Sequence, residues 1–160
     1  MAVQIAVIGG GDRSAAALAA AEIVGAELAK AGAVLVCGGL DGVMAAACRG
    51  AKSAGGTTVG VLPETDPGTA NPWVDVVIPT GLGEARNAIV VRSAGAVVAI
   101  DGEYGTLSEI ALALRSGVPV IGLRTWSLVH PDGKADTGIE VVDDPRVAAA
   151  RALERAAAHR

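Results

Sequence analysis

The chain of 160 residues reads as an α/β protein, a single Rossmann-like doubly wound parallel sheet with helices on both faces. Three observations predict it. Short apolar runs alternate with longer Ala-rich stretches of helical character. The short runs are continuous in Val, Ile, Leu and Ala, as strands covered on both faces are. Glycine turns follow several of them, where a strand hands over to a helix.

The elements follow in order. Val3 to Ile8 is a strand ending in Gly9-Gly10-Gly11, and a helix is expected from about Arg13 to Ala31, with Ser14 or Asp12 as its N-cap and Gly32 as its stop. Ala33 to Cys37 repeats the strand pattern, closes on Gly38-Gly39 and leads into a helix from Gly42 to about Ala54. Thr58 to Leu62 is a third strand, stopped by Pro63. From Pro63 to Trp73 the density of Pro, Gly and Asn marks a loop. Asp75 to Ile78 is a strand, Gly81 to Gly83 a turn, Glu84 to Ala94 a helix and Ala96 to Ile100 the next strand. Leu107, Ile110, Ala111 and Leu114 fall at i, i+3, i+4, i+7 and give the following helix an apolar face. Gly117-Val118-Pro119 ends it. Val120 to Leu123 and Ile139 to Val142 complete the strands, and Asp144-Pro145 opens the last helix as N-cap and first helical residue.

Composition sets limits. A chain of this length buries about two thirds of the surface of its unfolded form, enough to fold without disulfide or structural metal. With 51% hydrophobic residues but only two Trp, one Tyr and no Phe, the core is made of small and β-branched side chains, in one domain over residues 1–160. No run free of Asp, Glu, Lys and Arg approaches the ~20 apolar residues of a membrane-spanning helix, so no membrane association is expected. Met1 to Gly11 lacks a basic region and runs straight into a strand pattern, unlike an export signal. Cys37 and Cys48 lie in apolar surroundings and form no C-x-x-C pair, which points to core thiols and a cytoplasmic setting. The net charge of −4 and the lack of a Lys/Arg cluster speak against a nucleic-acid partner.

In a doubly wound sheet ligands bind beyond the carboxyl ends of the strands, near the point where strand order reverses. Three glycine turns fall at such ends: Gly9-Gly10-Gly11-Asp12-Arg13-Ser14, Gly38-Gly39-Leu40-Asp41-Gly42-Val43-Met44 and Asp101-Gly102-Glu103-Tyr104-Gly105-Thr106. Each precedes a helix, so backbone N–H groups and the positive end of a helix dipole can face an anion, and phosphate is the natural ligand. The residues expected around it are Gly10, Gly11, Arg13, Ser14, Gly38, Gly39, Gly42, Met44, Arg86, Asn87, Gly102, Tyr104, Gly105 and Thr106. The first turn does not follow the dinucleotide fingerprint. Tyr104 and Trp73, in a chain so poor in aromatics, are candidates to stack on a base or pterin. Thr106-Leu107-Ser108-Glu109 also reads as a capping box, which would give Glu109 a structural role. No resident metal is expected: the two histidines lack zinc spacing, and Asp101 and Glu103 read as solvated carboxylates.

Gly38-Gly39-Leu40-Asp41-Gly42-Val43-Met44, Arg86-Asn87 and Tyr104-Gly105-Thr106-Leu107-Ser108-Glu109 together resemble the LOG ("Lonely guy") superfamily, once labelled lysine decarboxylases, which includes phosphoribohydrolases and molybdenum cofactor carrier proteins. The resemblance runs from the first strand to about Leu123. It implies that Gly105 and Thr106 bind phosphate and, in an enzyme, that Glu109 is the catalytic carboxylate with Arg86 as its basic partner. Such an enzyme releases free base and ribose 5-phosphate from a nucleoside 5′-monophosphate. Where those enzymes carry Pro-Gly-Gly this chain has Asp101-Gly102-Glu103, and where they carry Arg-Lys it has Arg86-Asn87. Both differences lower the positive potential around a phosphate. They bring the chain closer to the carrier-like branch, whose cargo is the molybdenum cofactor, molybdopterin. The expected function is therefore binding or carriage of a phosphorylated nucleotide-like or pterin-like ligand, with LOG-type hydrolysis as the alternative. A homo-oligomer, dimer or tetramer, is implied as well.

Overall fold

The computed structural model describes residues 1–11 and 14–159. Seven strands and five α-helices follow along the described chain, alternating except between β3 and β4 and between β6 and β7: β1 (Gln4–Gly9), α1 (Ala15–Lys30), β2 (Val34–Cys37), α2 (Val43–Ser53), β3 (Thr57–Leu62), β4 (Val76–Pro79), α3 (Asn87–Arg92), β5 (Ala96–Ile100), α4 (Tyr104–Arg115), β6 (Val120–Leu123), β7 (Ile139–Val142) and α5 (Pro145–His159). Short 3₁₀ turns lie at Pro67–Thr69 and Gly83–Arg86. The strands form one all-parallel sheet in the order β4-β3-β2-β1-β5-β6-β7. Strand order reverses at β1, whose neighbours are β2 and β5.

The continuous apolar runs are used as expected. In β1, Ile5 and Val7 face one layer, with α1, α2 and α5, while Ala6 and Ile8 face the other, with α3 and α4. β5 divides likewise, Val98 and Ile100 to one side and Val97 and Ala99 to the other. Side chains of period two thus feed two cores, and every residue of β5 is buried.

Small residues set the helix packing. A Cβ on Gly25 of α1 would lie 2.0 Å from the Ala47 carbonyl oxygen, and one on Gly50 of α2 would lie 1.9 Å from that of Glu22. Glycine at both crossing points lets the two backbones touch. Ala17, Ala21, Ala47, Ala51, Ala148, Ala152 and Ala156 are likewise buried within the chain's own core.

Termini follow local chemistry. The Ser14 hydroxyl accepts the Ala17 N–H at 3.2 Å and starts α1. Asp12, the other candidate cap, lies outside the described residues, as does Arg13. Asp144 Oδ1 accepts the N–H groups of Arg146 and Val147, with Pro145 at the first helical position of α5.

Two expectations are corrected. The segment expected as one helix from Glu84 to Ala94 is a 3₁₀ turn followed by the six-residue α3; the turn is anchored by the Gly83 N–H on the Pro63 carbonyl and carries Arg86 inward. The buried face of α4 is Thr106, Glu109, Ile110 and Ala113, one position N-terminal to the apolar series read from the sequence, and Ala111 is exposed. Periodicity of apolar residues alone misplaced the face because two of its four members are polar.

Candidate functional site

A cavity of about 440 Å³ opens where strand order reverses, at the carboxyl ends of β1 and β5. Gly9, Gly10 and Gly11 form one wall, the start of α4 with Glu109 another, and Arg86 and Asn87 line it from the start of α3.

The start of α4 governs the electrostatics. The helix begins at Tyr104, three residues before the start a Thr106 capping box would require, and its N-cap Glu103 makes no side-chain capping bond. The first amide paired along the helix is that of Leu107, on the Glu103 carbonyl. Thr106 therefore lies within the first turn and does not cap it. The capping-box reading of Glu109 falls for this reason. The amides of the first helical turn have no intrahelical acceptors, and the dipole adds positive potential at the cavity wall.

Arg86 is only 8% exposed. Its Nη1 donates to the Val61 carbonyl at 2.9 Å, and its Nε is buried without a hydrogen-bond partner. Gly38 makes room for it: a Cβ there would lie 2.1 Å from Nη1. Glu109 is equally buried, at 8% exposure. Burial pushes its carboxyl from the usual 4.5 up to about 7, and the Arg86 guanidinium holds back part of that rise. Burial also draws the Arg86 pKa down, opposed first by Glu109, yet a guanidinium keeps its charge at neutral pH. No direct hydrogen bond joins the two. The site thus pairs a fixed cation, one N–H lacking an acceptor, with a carboxyl near half ionisation at neutral pH.

The structure brings together most of the candidates. Gly10, Gly11, Met44, Arg86, Asn87, Tyr104, Gly105, Thr106 and Glu109 all line the cavity. Asn87 is held by its Nδ2 on Ser108 Oγ at 3.2 Å, a tie between α3 and α4. Gly105 has no atom within 4 Å of where a Cβ would stand, so it presents bare backbone. Gly102, at φ +114°, turns the loop onto α4: a Cβ there would meet that of Thr106 at 2.4 Å.

Other candidates lie behind the wall or away from it. Ser14 is engaged as the α1 cap. Gly38, Gly39 and Gly42 support the cavity from beneath: Gly39 packs on Leu62 and Gly60, and Gly42, at φ +66°, lies under the carbonyls of Gly10 and Gly11. The α2 amide of Val43 is already bound to the Gly10 carbonyl at 3.1 Å. Trp73 is not among the lining residues; its backbone is tied to Asn71 and Thr58, beside the edge strand β4. The ring that accompanies Tyr104 is Trp126, with centroids 5.8 Å apart, and sequence reading missed it because it follows β6 in a stretch without a motif. Leu40, Pro63, Glu84, Glu103 and Ser108 also line the cavity and were not singled out as ligand contacts.

Cys37 and Cys48 are free and buried with sulfurs 3.5 Å apart; the hydrogen bond between them and burial both hold the Cys48 thiol protonated. His130 pairs with Asp136 at 3.1 Å. Among the described residues no group of three His, Cys, Asp or Glu side chains is placed to hold a metal ion, and no helix is long and apolar enough to cross a membrane.

Fold and cavity together define a Rossmann-like α/β protein with a concave site at its topological switch point. The chain belongs to the SLOG cluster4 family, whose model matches residues 2–150. It is similar to the molybdenum cofactor binding protein from the phototrophic bacterium Rippkaea orientalis, at 33% identity with 96% of each chain covered and a TM-score of 0.85. The molybdenum cofactor carrier protein from Chlamydomonas reinhardtii is 37% identical, with 98% of this chain and 99% of that one covered and a TM-score of 0.82. A protein of Oryza sativa subsp. japonica named as a probable cytokinin riboside 5′-monophosphate phosphoribohydrolase is 32% identical over 108 residues, 66% of this chain and 48% of its own. DNA processing protein A from Helicobacter pylori shares the fold, at 19% identity and a TM-score of 0.71. The resemblance to the LOG superfamily and its carrier-like branch is thus borne out.

Proposed function

We propose that the chain is a binding or carrier protein for a small phosphorylated ligand with a nucleotide-like or pterin-like ring, and that the molybdenum cofactor is the cargo its relatives point to. The observation that carries this reading is the buried Arg86 with an unpaired Nε, set in the same cavity as the uncapped start of α4. An anion there satisfies donors that the protein leaves open. In this reading Gly105 and Thr106 present amides to the phosphate, Arg86 neutralises it and Tyr104 flanks the ring. Gly10 and Gly11 form the opposite wall, while Arg13, the cation the sequence suggested for this site, lies outside the described residues. Partially protonated Glu109 repels an anion less than a full carboxylate does.

A second reading has one observation in its favour. A buried carboxyl with a pKa of about 7 is suited to acid–base work, and cleavage of an N-glycosidic bond needs a group that activates water or stabilises positive charge on the ribose. Incubation with a panel of nucleoside 5′-monophosphates and chromatography for free base separates the two. The carrier reading expects saturable binding, weakened at least tenfold in Arg86→Gln, with no base released. Base release that disappears in Glu109→Gln makes the chain a phosphoribohydrolase.

We place this function in the cytoplasm, where the free thiols of Cys37 and Cys48 stay reduced, and without a nucleic-acid partner, given the net charge of −4. Salt-sensitive binding of single-stranded DNA would contradict the latter. We also infer a homo-oligomer, dimer or tetramer. The small residues of α1, α2 and α5 are consumed internally, while Val76, Ile78, Leu82 and Ile89 remain exposed. A monomer mass by light scattering would contradict it.

A further inference from the structure

Beside the main cavity a second one, of about 300 Å³, lies at the carboxyl ends of β5 and β6, lined by Asp101, Gly102, Arg124, Thr125 and Trp126. The two share a wall. Asp101 and Gly102 face the second cavity, and the next residues of the same loop, Glu103 and Tyr104, face the first. Across this wall Tyr104 and Trp126 meet, with ring planes 35° apart, and the Trp126 indole N–H is fixed on the Glu103 carbonyl at 3.2 Å. Tyr104 is 80% exposed although it packs on another ring, so most of its surface is open to a further planar group.

The backbone at this second cavity is unusual. Asp101 and Arg124 directly follow Ile100 and Leu123, which are register partners in β5 and β6. Both adopt φ +53°, and they are the two residues other than glycine at positive φ among the described residues. Glycine would adopt this conformation without strain, yet the chain keeps a carboxylate and a guanidinium there. The Thr125 hydroxyl donates to the Asp101 carbonyl at 2.6 Å and locks the two loops together. Asp101 and Arg124 do not pair with each other, and Arg124 makes no hydrogen bond or ion pair with a described residue. A hydrogen-bond acceptor and a donor fork therefore stand beside an aromatic face, the set that reads the edge of a heterocyclic base while its plane stacks.

We propose that this cavity is a second subsite, for the base of a dinucleotide-type ligand whose phosphate sits at the start of α4. The inference rests on the phosphate reading of the main cavity and extends it: the preferred ligand carries two ring systems joined through phosphate. Tyr104 and Trp126 form the bridge between them, Arg124 donates to the second base and Asp101 accepts from it.

The test titrates matched probes, adenosine and guanosine 5′-monophosphates against diadenosine and diguanosine pyrophosphates, into a Trp73→Phe chain, where Trp126 is the sole fluorescent tryptophan. The expected result is that at least one dinucleotide binds tenfold or more tightly than its mononucleotide and changes Trp126 emission. Arg124→Ala is expected to bring the dinucleotide back to mononucleotide affinity and leave the mononucleotide unchanged. Arg124→Gly, which keeps the left-handed backbone without strain, should do the same and separates loss of the guanidinium from loss of fold. Mononucleotide binding with no gain for either dinucleotide overturns the second subsite alone. Absence of binding by every probe overturns the nucleotide form of the phosphate reading and this inference with it.

Discussion

The loops after β2 and β5 look alike in sequence, each a glycine-containing turn between a strand and a helix, yet the protein uses them differently. In Gly38–Gly42 the space where side chains would stand is filled by the protein: Arg86 against Gly38, Leu62 against Gly39, the carbonyls of Gly10 and Gly11 against Gly42. After β5 the loop glycine, Gly102, is likewise crowded, by Thr106, but Gly105 in the first turn of α4 faces open space at the cavity wall. A missing side chain admits either a neighbouring chain segment or a ligand. Sequence registers only that something must come close.

That contrast can be broken most forcefully at Gly42. Its φ of +66° and the 2.2 Å approach of a Cβ to the Gly11 carbonyl lead us to expect that Gly42→Ala lowers stability by about 3 kcal/mol, from left-handed strain and overpacking together. Chemical denaturation measures it, and a loss below about 1 kcal/mol would erase the distinction between the two loops.

The β5 side should show the opposite, a site held at the expense of stability. Glu109 binds its proton more tightly in the folded chain, with a pKa of about 7 against 4.5, so folding stability is fully present below about pH 4.5 and falls as pH rises through 7. Glu109→Gln removes that dependence. The variant should be more stable than the parent at pH 8, by on the order of 3 kcal/mol, and about equal to it near pH 4.5. Parallel melting curves of the two across that range would sink the assignment.

Smaller effects sharpen the comparison. Ser14→Ala should cost about 1 kcal/mol through the lost α1 cap and leave ligand affinity unchanged, since the hydroxyl is occupied by the Ala17 amide. Gly105→Ala should change stability by less than about 1 kcal/mol, because the position is helical and open, and its effect should appear in ligand binding. Calorimetric titration alongside thermal melts separates the two.

The fold was legible because it rests on local patterns. Continuous apolar strands, glycine stops and Asp144-Pro145 each carry their own physical reason, and the parallel sheet follows from their alternation. Phase within α4 was not legible, since its buried face mixes Ile110 and Ala113 with Thr106 and Glu109, and a periodicity of apolar residues slides past a polar pair that faces inward. The helix start was misread for a related reason. Thr106 and Glu109 have capping-box spacing, but the helix already begins at Tyr104, so Thr106 lies inside its first turn, close against Gly102. Trp126 was missed because its link to Tyr104 joins loops after different strands, a juxtaposition that only the β5–β6 pairing creates. Arg86, in contrast, stood out as a cation at a helix start, where the dipole offers it nothing.

On our proposal the cavity at the switch point holds a phosphorylated ligand through the start of α4 and Arg86. Native mass spectrometry of the purified chain, with added nucleoside monophosphates and phosphorylated pterins, tests it most directly. The expected result is a co-purifying or saturable phosphorylated adduct that is lost in Arg86→Gln while the fold is retained. A chain that stays bare throughout the panel, or an adduct indifferent to Arg86, would contradict it.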